Sequence, residues 1–311
     1  MSNAQLKLIP SPSIQTSPYH VYLQSLSPTG RRSIASLLNT CTKLLGYPGK
    51  AEDFDWPSFS YAKAMTIRSA MLQADYAINT INMAISALKG VMMTAFNLEL
   101  INADRLARIN AVKTVKGNAQ KRQGRVLRAK EIQALVGACE KHSDPASIRN
   151  KALLLIALSS GLRCSELCAL TIANIDLQTG QLLVANGKGR KQRIVYVNRQ
   201  ATEAIQAWLA IRTNKPGPLF MRILKGQHLS MLPLTPNGIT HLLQNLRKQA
   251  NIPPFSPHDL RRTFITRLLE EDVDLNTVRQ MAGHRDIRTT ICYDKRDENS
   301  FYSKTASLSL G

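Results

Sequence analysis

Between positions 105 and 130 the chain carries nine basic residues, Arg105, Arg108, Lys113, Lys116, Lys121, Arg122, Arg125, Arg128 and Lys130, and not one Asp or Glu. A stretch of this kind, with no acid to balance it, reads as a linker that joins two domains. Gly117 and Gly124 interrupt it. It therefore divides the chain into two patterned regions that must each bury their own core. A solvated linker is the plain reading of such a stretch. Nine unbalanced positive charges nevertheless repel one another unless a polyanion neutralises them. The whole chain repeats the imbalance, with 41 Lys and Arg against 21 Asp and Glu, a net charge of +20. A ribosomal or membrane-surface protein is the bland alternative, but the charge here is spread through folded segments, not gathered in low-complexity tails. Nucleic acid is the polyanion that this distribution fits best.

The flanking regions differ in pattern. Residues 1–18 are rich in Ser and Pro and are expected to be poorly ordered. Over 19–110 the spacing is helical: Ile78, Ile81, Ile85, Leu88, Val91 and Ala95 recur at three and four along one face. Ser27-Pro28-Thr29-Gly30 breaks the chain before a helix carrying Ile34, Leu37, Leu38 and Leu44, which Tyr47-Pro48-Gly49 is expected to end. The region reads as a bundle of about four helices. Residues 111–126 form the basic linker, and a second domain runs over 127–295, followed by a tail at 296–311. In the second domain helices are expected at 129–141 and 146–159. Strands follow at Thr171–Asp176, Gln181–Ala185 and Gln192–Val197, then helices near 200–212, 236–250, 257–271, 275–282 and 287–293. The fold class is thus mostly α, with an α+β second domain holding one small antiparallel sheet.

Other features exclude classes. No run of 18 apolar residues would span a membrane, and Met1 to Pro12 lacks the apolar core of a secretory signal. A cytoplasmic location and no membrane partner are expected. Cys41, Cys139, Cys164, Cys168 and Cys292 are scattered, and Cys164 and Cys168 lack further Cys or His neighbours to complete a zinc site. They read as buried free thiols in a reducing compartment.

Four patches carry chemistry. Gly161-Leu162-Arg163-Cys164-Ser165-Glu166-Leu167 places Arg163 just past an apolar helix, paired with a carboxylate or aimed at an anion. Asn186-Gly187-Lys188-Gly189-Arg190-Lys191 places Lys188 between glycines at a hairpin tip, where a solvated turn is the plainer reading. Ser256-Pro257-His258-Asp259-Leu260-Arg261-Arg262 reads as a helix start, with Ser256 as N-cap and Pro257 in the first turn. His258 and Arg261, three apart, share one face at an end that favours anions. Leu260, Phe264 and Leu268 share another face that should enter the core. Gly283-His284 precedes Tyr293 by nine residues, with Gly283 placed to end one helix and Asp286 to cap the next.

Taken in order, two arginines, one lysine, two histidines and a tyrosine make a phosphate-transfer site without metal ligands. The order and local contexts resemble the tyrosine recombinases, which include phage integrases and Xer-type proteins, strongly over 127–295 and more loosely over 19–110. The resemblance implies a helical core-binding domain and a catalytic domain that close as a C-shaped clamp on duplex DNA. It implies that Arg163 and Arg261 hold the nonbridging oxygens of the scissile phosphate, a task suited to guanidinium forks. It implies that Lys188 protonates the departing 5′ oxygen, with Lys191, three residues on, as the other candidate. His258 would assist proton transfer at the nucleophile, His284 would pack or hydrogen-bond at the phosphate, and Tyr293 would attack. A free phenol titrates near ~10, so nearby positive charge and a proton acceptor would be needed. Arg262 stands where many relatives have a second His, and Arg128 where a capping Thr or Ser is common.

The implied activity is site-specific cleavage and rejoining of DNA through a 3′-phosphotyrosine, with no ATP, metal or other cofactor. A mobile element is the expected setting. Xer-like resolution of chromosome or plasmid dimers, type IB topoisomerase-like relaxation and non-catalytic DNA binding are the alternatives. A metal nuclease is disfavoured because no carboxylate cluster lies near the motifs. Double-stranded DNA, a homotetramer on paired sites and accessory DNA-bending proteins are the implied partners. Lys113, Lys116, Lys121, Arg122, Arg125, Arg190 and Lys191 are the expected DNA contacts. The tail, with Phe301, Tyr302, Leu308 and Leu310, is expected to dock on a neighbouring protomer.

Overall fold

The computed structural model describes residues 17–117, 124–186 and 190–294. The chain divides into two compact units, Met1–Lys121 and Arg122–Gly311. Both are mostly helical, and small antiparallel sheets occur in the second.

The first unit has five helices among its described residues: α1 (Pro18–Ser25), α2 (Pro28–Leu44), α3 (Tyr61–Gln73), α4 (Ile78–Asn97) and α5 (Ala103–Asn110). The sequence pattern suggests about four; five are present, the first only eight residues long. Ser27 caps α2 as its side chain accepts from the Gly30 N–H at 3.3 Å, and Pro28 fits the first turn. α2 stops before Tyr47-Pro48-Gly49, since Gly46 at φ +77° and the Tyr47 N–H bond to the Thr42 carbonyl already close its end. α4 is the central element. Its expected apolar face is buried at Ile81, Ile85, Leu88, Val91 and Ala95, and small residues at Ala84 and Ala87 let the surrounding helices approach.

The second unit contains α6 (Ala129–Glu140), α7 (Pro145–Ser160), α8 (Cys164–Ala169), α9 (Arg199–Arg212), α10 (Pro236–Gln249), α11 (Pro257–Glu270), α12 (Leu275–Ala282) and α13 (Arg288–Ile291). α7 is buried nearly all round, from Ala152 to Ala157, as an apolar helix inside a core must be. α6, α9 and α11 pack against it.

One sheet has the order β1 (Ile175–Asp176), β2 (Gln181–Asn186), β3 (Arg190–Tyr196), all antiparallel. Its register pairs Leu182 with Val195, both buried, on the core face. Four expectations need correction. The strand expected over Thr171–Asp176 is reduced to two residues, because Asn174 Oδ1 accepts from both the Thr171 N–H and hydroxyl and folds 172–174 into a tight helical turn. A second sheet, β4 (Met221–Ile223) with β5 (Leu229–Pro233), accompanies the single one expected. Its strands are short and largely exposed, so they carry no clear alternation. The last helix covers only Arg288–Ile291, with Tyr293 in the turn that follows. Among the thiols, Cys41 and Cys139 are buried but Cys292 is exposed, contrary to the expectation of a buried set. No helix among the described residues is long and apolar enough to cross a membrane.

Candidate active site

The catalytic candidates that can be placed all lie in the second unit, where chain turns meet. α7 ends at Gly161, whose φ of +60° is open to glycine at little cost. A Cβ there would stand 2.3 Å from Phe264 of α11, so only glycine allows the turn to press on that helix. α12 ends similarly at Gly283, φ +66°. Between these two helix ends lies Arg261, buried at 2% exposure, whose Nη1 donates to the Gly161 carbonyl at 2.8 Å and Nη2 to the Ala282 carbonyl at 2.6 Å. The guanidinium thus satisfies two carbonyls left over at helix C-termini, where positive charge is favoured. Burial, then the nearby Arg163, lowers its pKa to about 10, so it stays charged at neutral pH.

Arg163 is the N-cap residue of α8, and its N–H donates to Glu166 Oε2 at 2.8 Å. Its side chain is more open, 44% exposed, and donates to Glu166 Oε1 at 3.1 Å and to the Gly283 carbonyl at 3.2 Å. A carboxylate thus anchors this arginine, and much of its side chain stays exposed.

α11 starts as expected, with Ser256 at the N-cap. Its carbonyl accepts from the Asp259 N–H at 2.9 Å, while its own N–H and hydroxyl donate to Asp259 Oδ2 at 2.7 and 2.8 Å. Asp259 Oδ1 accepts from the Arg125 N–H at 2.9 Å. This fixes His258, whose Nε2 lies 3.1 Å from the Tyr293 hydroxyl. Burial first, then Arg261 and Arg262, lower the His258 pKa, which keeps the imidazole neutral and able to accept a proton. Leu260, Phe264 and Leu268 enter the core, Leu268 only partly.

Tyr293 is 5% exposed. Its ring lies 6.0 Å from that of His284 at an interplanar angle of 15°, and the Arg262 guanidinium lies 4.7 Å from its centroid. Cation–π contact of this kind contributes up to about 2 kcal/mol when desolvated. His284 Nδ1 meets the Thr290 hydroxyl at 2.8 Å, and Asp286 accepts from the Arg288 N–H at 2.9 Å, which orders the turn before Tyr293.

His284 has its pKa lowered from 6.5 to about 4, by burial and then by Arg261 and Arg163. The unfolded chain therefore takes up the proton first as pH falls. The neutral imidazole's contribution to stability is complete above 6.5 and is lost on the way down to about 4. In urea unfolding, the stability gap between the wild type and His284→Gln should be larger at about pH 7.5 than at about pH 4.5. A gap that does not change with pH would show that the folded site does not hold His284 neutral.

The structure brings together Arg163, His258, Arg261, His284 and Tyr293. Lys188, Lys121 and Arg122 lie outside the described residues, as do the 1–16 segment and the tail after Asp294. Arg190 and Lys191 are described only as backbone opening β3. Lys113 and Lys116 are exposed, in keeping with a phosphate contact. The Arg125 guanidinium donates to Glu131 at 2.8 Å and to the Pro253 and Pro254 carbonyls at 3.1 and 3.0 Å, so it anchors the start of the second unit, and its side chain stays 28% exposed. Sequence reasoning did not single out Glu166, Arg193, Asp259 or Thr290 as parts of the site. Glu166 had a signal, its place three residues after an N-cap.

The phage integrase family model matches residues 125–300. The tyrosine recombinase XerD of Halalkalibacterium halodurans is 35% identical over 215 residues, 68% of this chain and 68% of that one. XerC of Pseudomonas fluorescens is 28% identical over 290 residues, 91% of each chain. Among solved structures, the XerH recombinase bound to palindromic difH substrate in a post-cleavage complex matches with a TM-score of 0.67 and 19% identity, over 94% of this chain and 95% of that one. The Tn1549 transposon integrase in complex with circular intermediate DNA matches with a TM-score of 0.65 and 18% identity, over 93% and 98%. These two likenesses show a shared fold.

Proposed function

Because the chain belongs to the phage integrase family of tyrosine recombinases, enzymes that transfer DNA strands, we propose that it cleaves and rejoins duplex DNA at a defined site with Tyr293 as nucleophile. The observation that carries this reading is the Tyr293 hydroxyl, 3.1 Å from a neutral His258 and beside the buried Arg261. His258 Nε2 accepts the phenol proton as the oxygen attacks phosphorus. Arg163 and Arg261 take the nonbridging oxygens and offset the charge that builds in the pentavalent transition state. The P–O bond to the 5′ oxygen breaks, that oxygen leaves as a hydroxyl, and a 3′-phosphotyrosine remains. The new ester conserves the energy of the old one, so a 5′ hydroxyl from a partner strand reseals it.

Lys188 is the proton donor to the leaving oxygen. Lys188→Ala should slow cleavage, and a substrate with a 5′-bridging sulfur should recover it, since a thiolate leaves without a proton. Recovery in Lys191→Ala but not in Lys188→Ala would assign the role to Lys191. Lys113 and Lys116 contact phosphates and position the enzyme without reading bases.

Four protomers on two paired sites are the working form, since each duplex needs two cleavages for exchange. A mobile element is one setting. The naming of its sequence relatives as Xer recombinases favours the other, resolution of repeated sites in one molecule. The test is a supercoiled plasmid with two direct copies of the DNA that flanks the gene. Excision of the interval supports site-specific recombination. Relaxation without any such site would support the topoisomerase reading instead.

A further inference from the structure

One carboxylate, Glu166, sits between two guanidinium groups. Arg193 Nη1 and Nη2 donate to its Oε1 and Oε2, both at 2.9 Å, a bidentate pair. Arg163 Nη1 reaches the same Oε1 at 3.1 Å. The Glu166 and Arg193 side chains are 9% and 13% exposed, against 44% for Arg163. The paired fork thus belongs to Arg193, and Arg163 holds only an edge contact. Arg193 is itself fixed. It lies on β3, paired with Val184, and its guanidinium fills the space beside Gly283, where a Cβ would stand 2.8 Å from its Cζ. The Gly283 carbonyl accepts the other end of Arg163.

We propose that Arg193 is a positioning residue for cleavage, which occupies Glu166 so that this carboxylate does not capture Arg163. The proposal rests on the reading of Arg163 as a phosphate ligand. Burial pushes the Glu166 pKa up, but hydrogen bonds from Arg193 and from the Arg163 N–H, with the charges of both arginines, bring it below the ordinary carboxylate range. The group is therefore an anion with two cations. Without Arg193 it is a buried anion with one cation, and a buried charge that loses a partner draws strongly on what remains. Arg163 would then close on it as a two-pronged pair. Its charge would be spent within the protein and withdrawn from the phosphate. The β3 strand thereby contributes to the site through a residue that touches no substrate.

The test uses the full chain and a nicked half-site duplex of flanking DNA, with the rate of SDS-resistant capture as readout. Half-site binding and thermal unfolding are followed in parallel. Arg193→Met should capture roughly 100-fold more slowly than the wild type, the scale of losing one charge-stabilising donor. Arg193→Lys should fall between, because it keeps the charge without the fork. The decisive variant is Arg193→Met with Glu166→Gln, which should be faster than Arg193→Met alone by roughly tenfold, because a neutral amide does not hold Arg163. A merely structural role predicts that removing both partners is no better than removing one. If Arg193→Met does not fold, Arg193→Lys with and without Glu166→Gln reads the same sign. A double variant no faster than its Arg193 parent, or Arg193→Met at the wild-type rate, overturns the proposal while the recombinase reading stands. A wild-type chain that captures no DNA overturns both.

Discussion

Replacing Tyr293 by Phe should abolish covalent capture of DNA while leaving half-site binding close to that of the wild type. Only the hydroxyl is lost. The ring keeps its place against the His284 ring and the Arg262 guanidinium, and the His258 bond removed is worth about 1 kcal/mol of stability. The catalytic effect is of another order, because the hydroxyl removed, 3.1 Å from His258 Nε2, is the proposed nucleophile. Capture is read as a band that survives SDS on a nicked duplex. If the Phe variant still forms it, another residue attacks, and Tyr302 is the first to examine.

Arg261→Ala should be the most damaging change among the residues that do not attack. Two effects combine. Loss of a charged donor at the transition state costs about 10²–10³-fold in rate. The same guanidinium holds the carbonyls of Gly161 and Ala282, so the ends of α7 and α12 lose their shared partner. Two buried carbonyls left without a donor cost about 3 kcal/mol in folding stability. Arg261→Lys separates the two effects, since a lysine supplies charge but cannot span both carbonyls. It should recover part of the stability and less of the rate. An alanine variant that is destabilised yet cleaves normally would reduce Arg261 to a scaffold residue.

The parts of the fold that were legible in the sequence are those where one pattern dominated. The α4 face and the apolar α7 follow from periodicity, and the β2–β3 hairpin from alternation that puts Leu182 and Val195 inward. The turns at Gly161 and Gly283 follow from residue chemistry, because both require positive φ. What was not legible depends on contacts distant in sequence. Arg125 reads as one more base in a positive run until Glu131 and the carbonyls of Pro253 and Pro254 appear beside it. Arg193 carried a signal that was not used: it shares the inward face of β3 with Val195, an unusual place for an arginine without a partner. Its partner, Glu166, lies on another element 27 residues away. The Tyr293 site shows the same division. The order of the four patches, through its resemblance to the recombinases, pointed to the tyrosine, whereas the approach of Arg262 to its ring appears only in three dimensions.

The measurement closest to the central claim is to trap the covalent complex on nicked duplex DNA in the presence of EDTA, digest it, and map the modified peptide by mass spectrometry. A nucleotide joined through its 3′ phosphate to Tyr293, with a free 5′ hydroxyl on the released strand, is the expected result. An adduct on another residue, or cleavage that requires restored Mg²⁺ and leaves no adduct, would contradict the account.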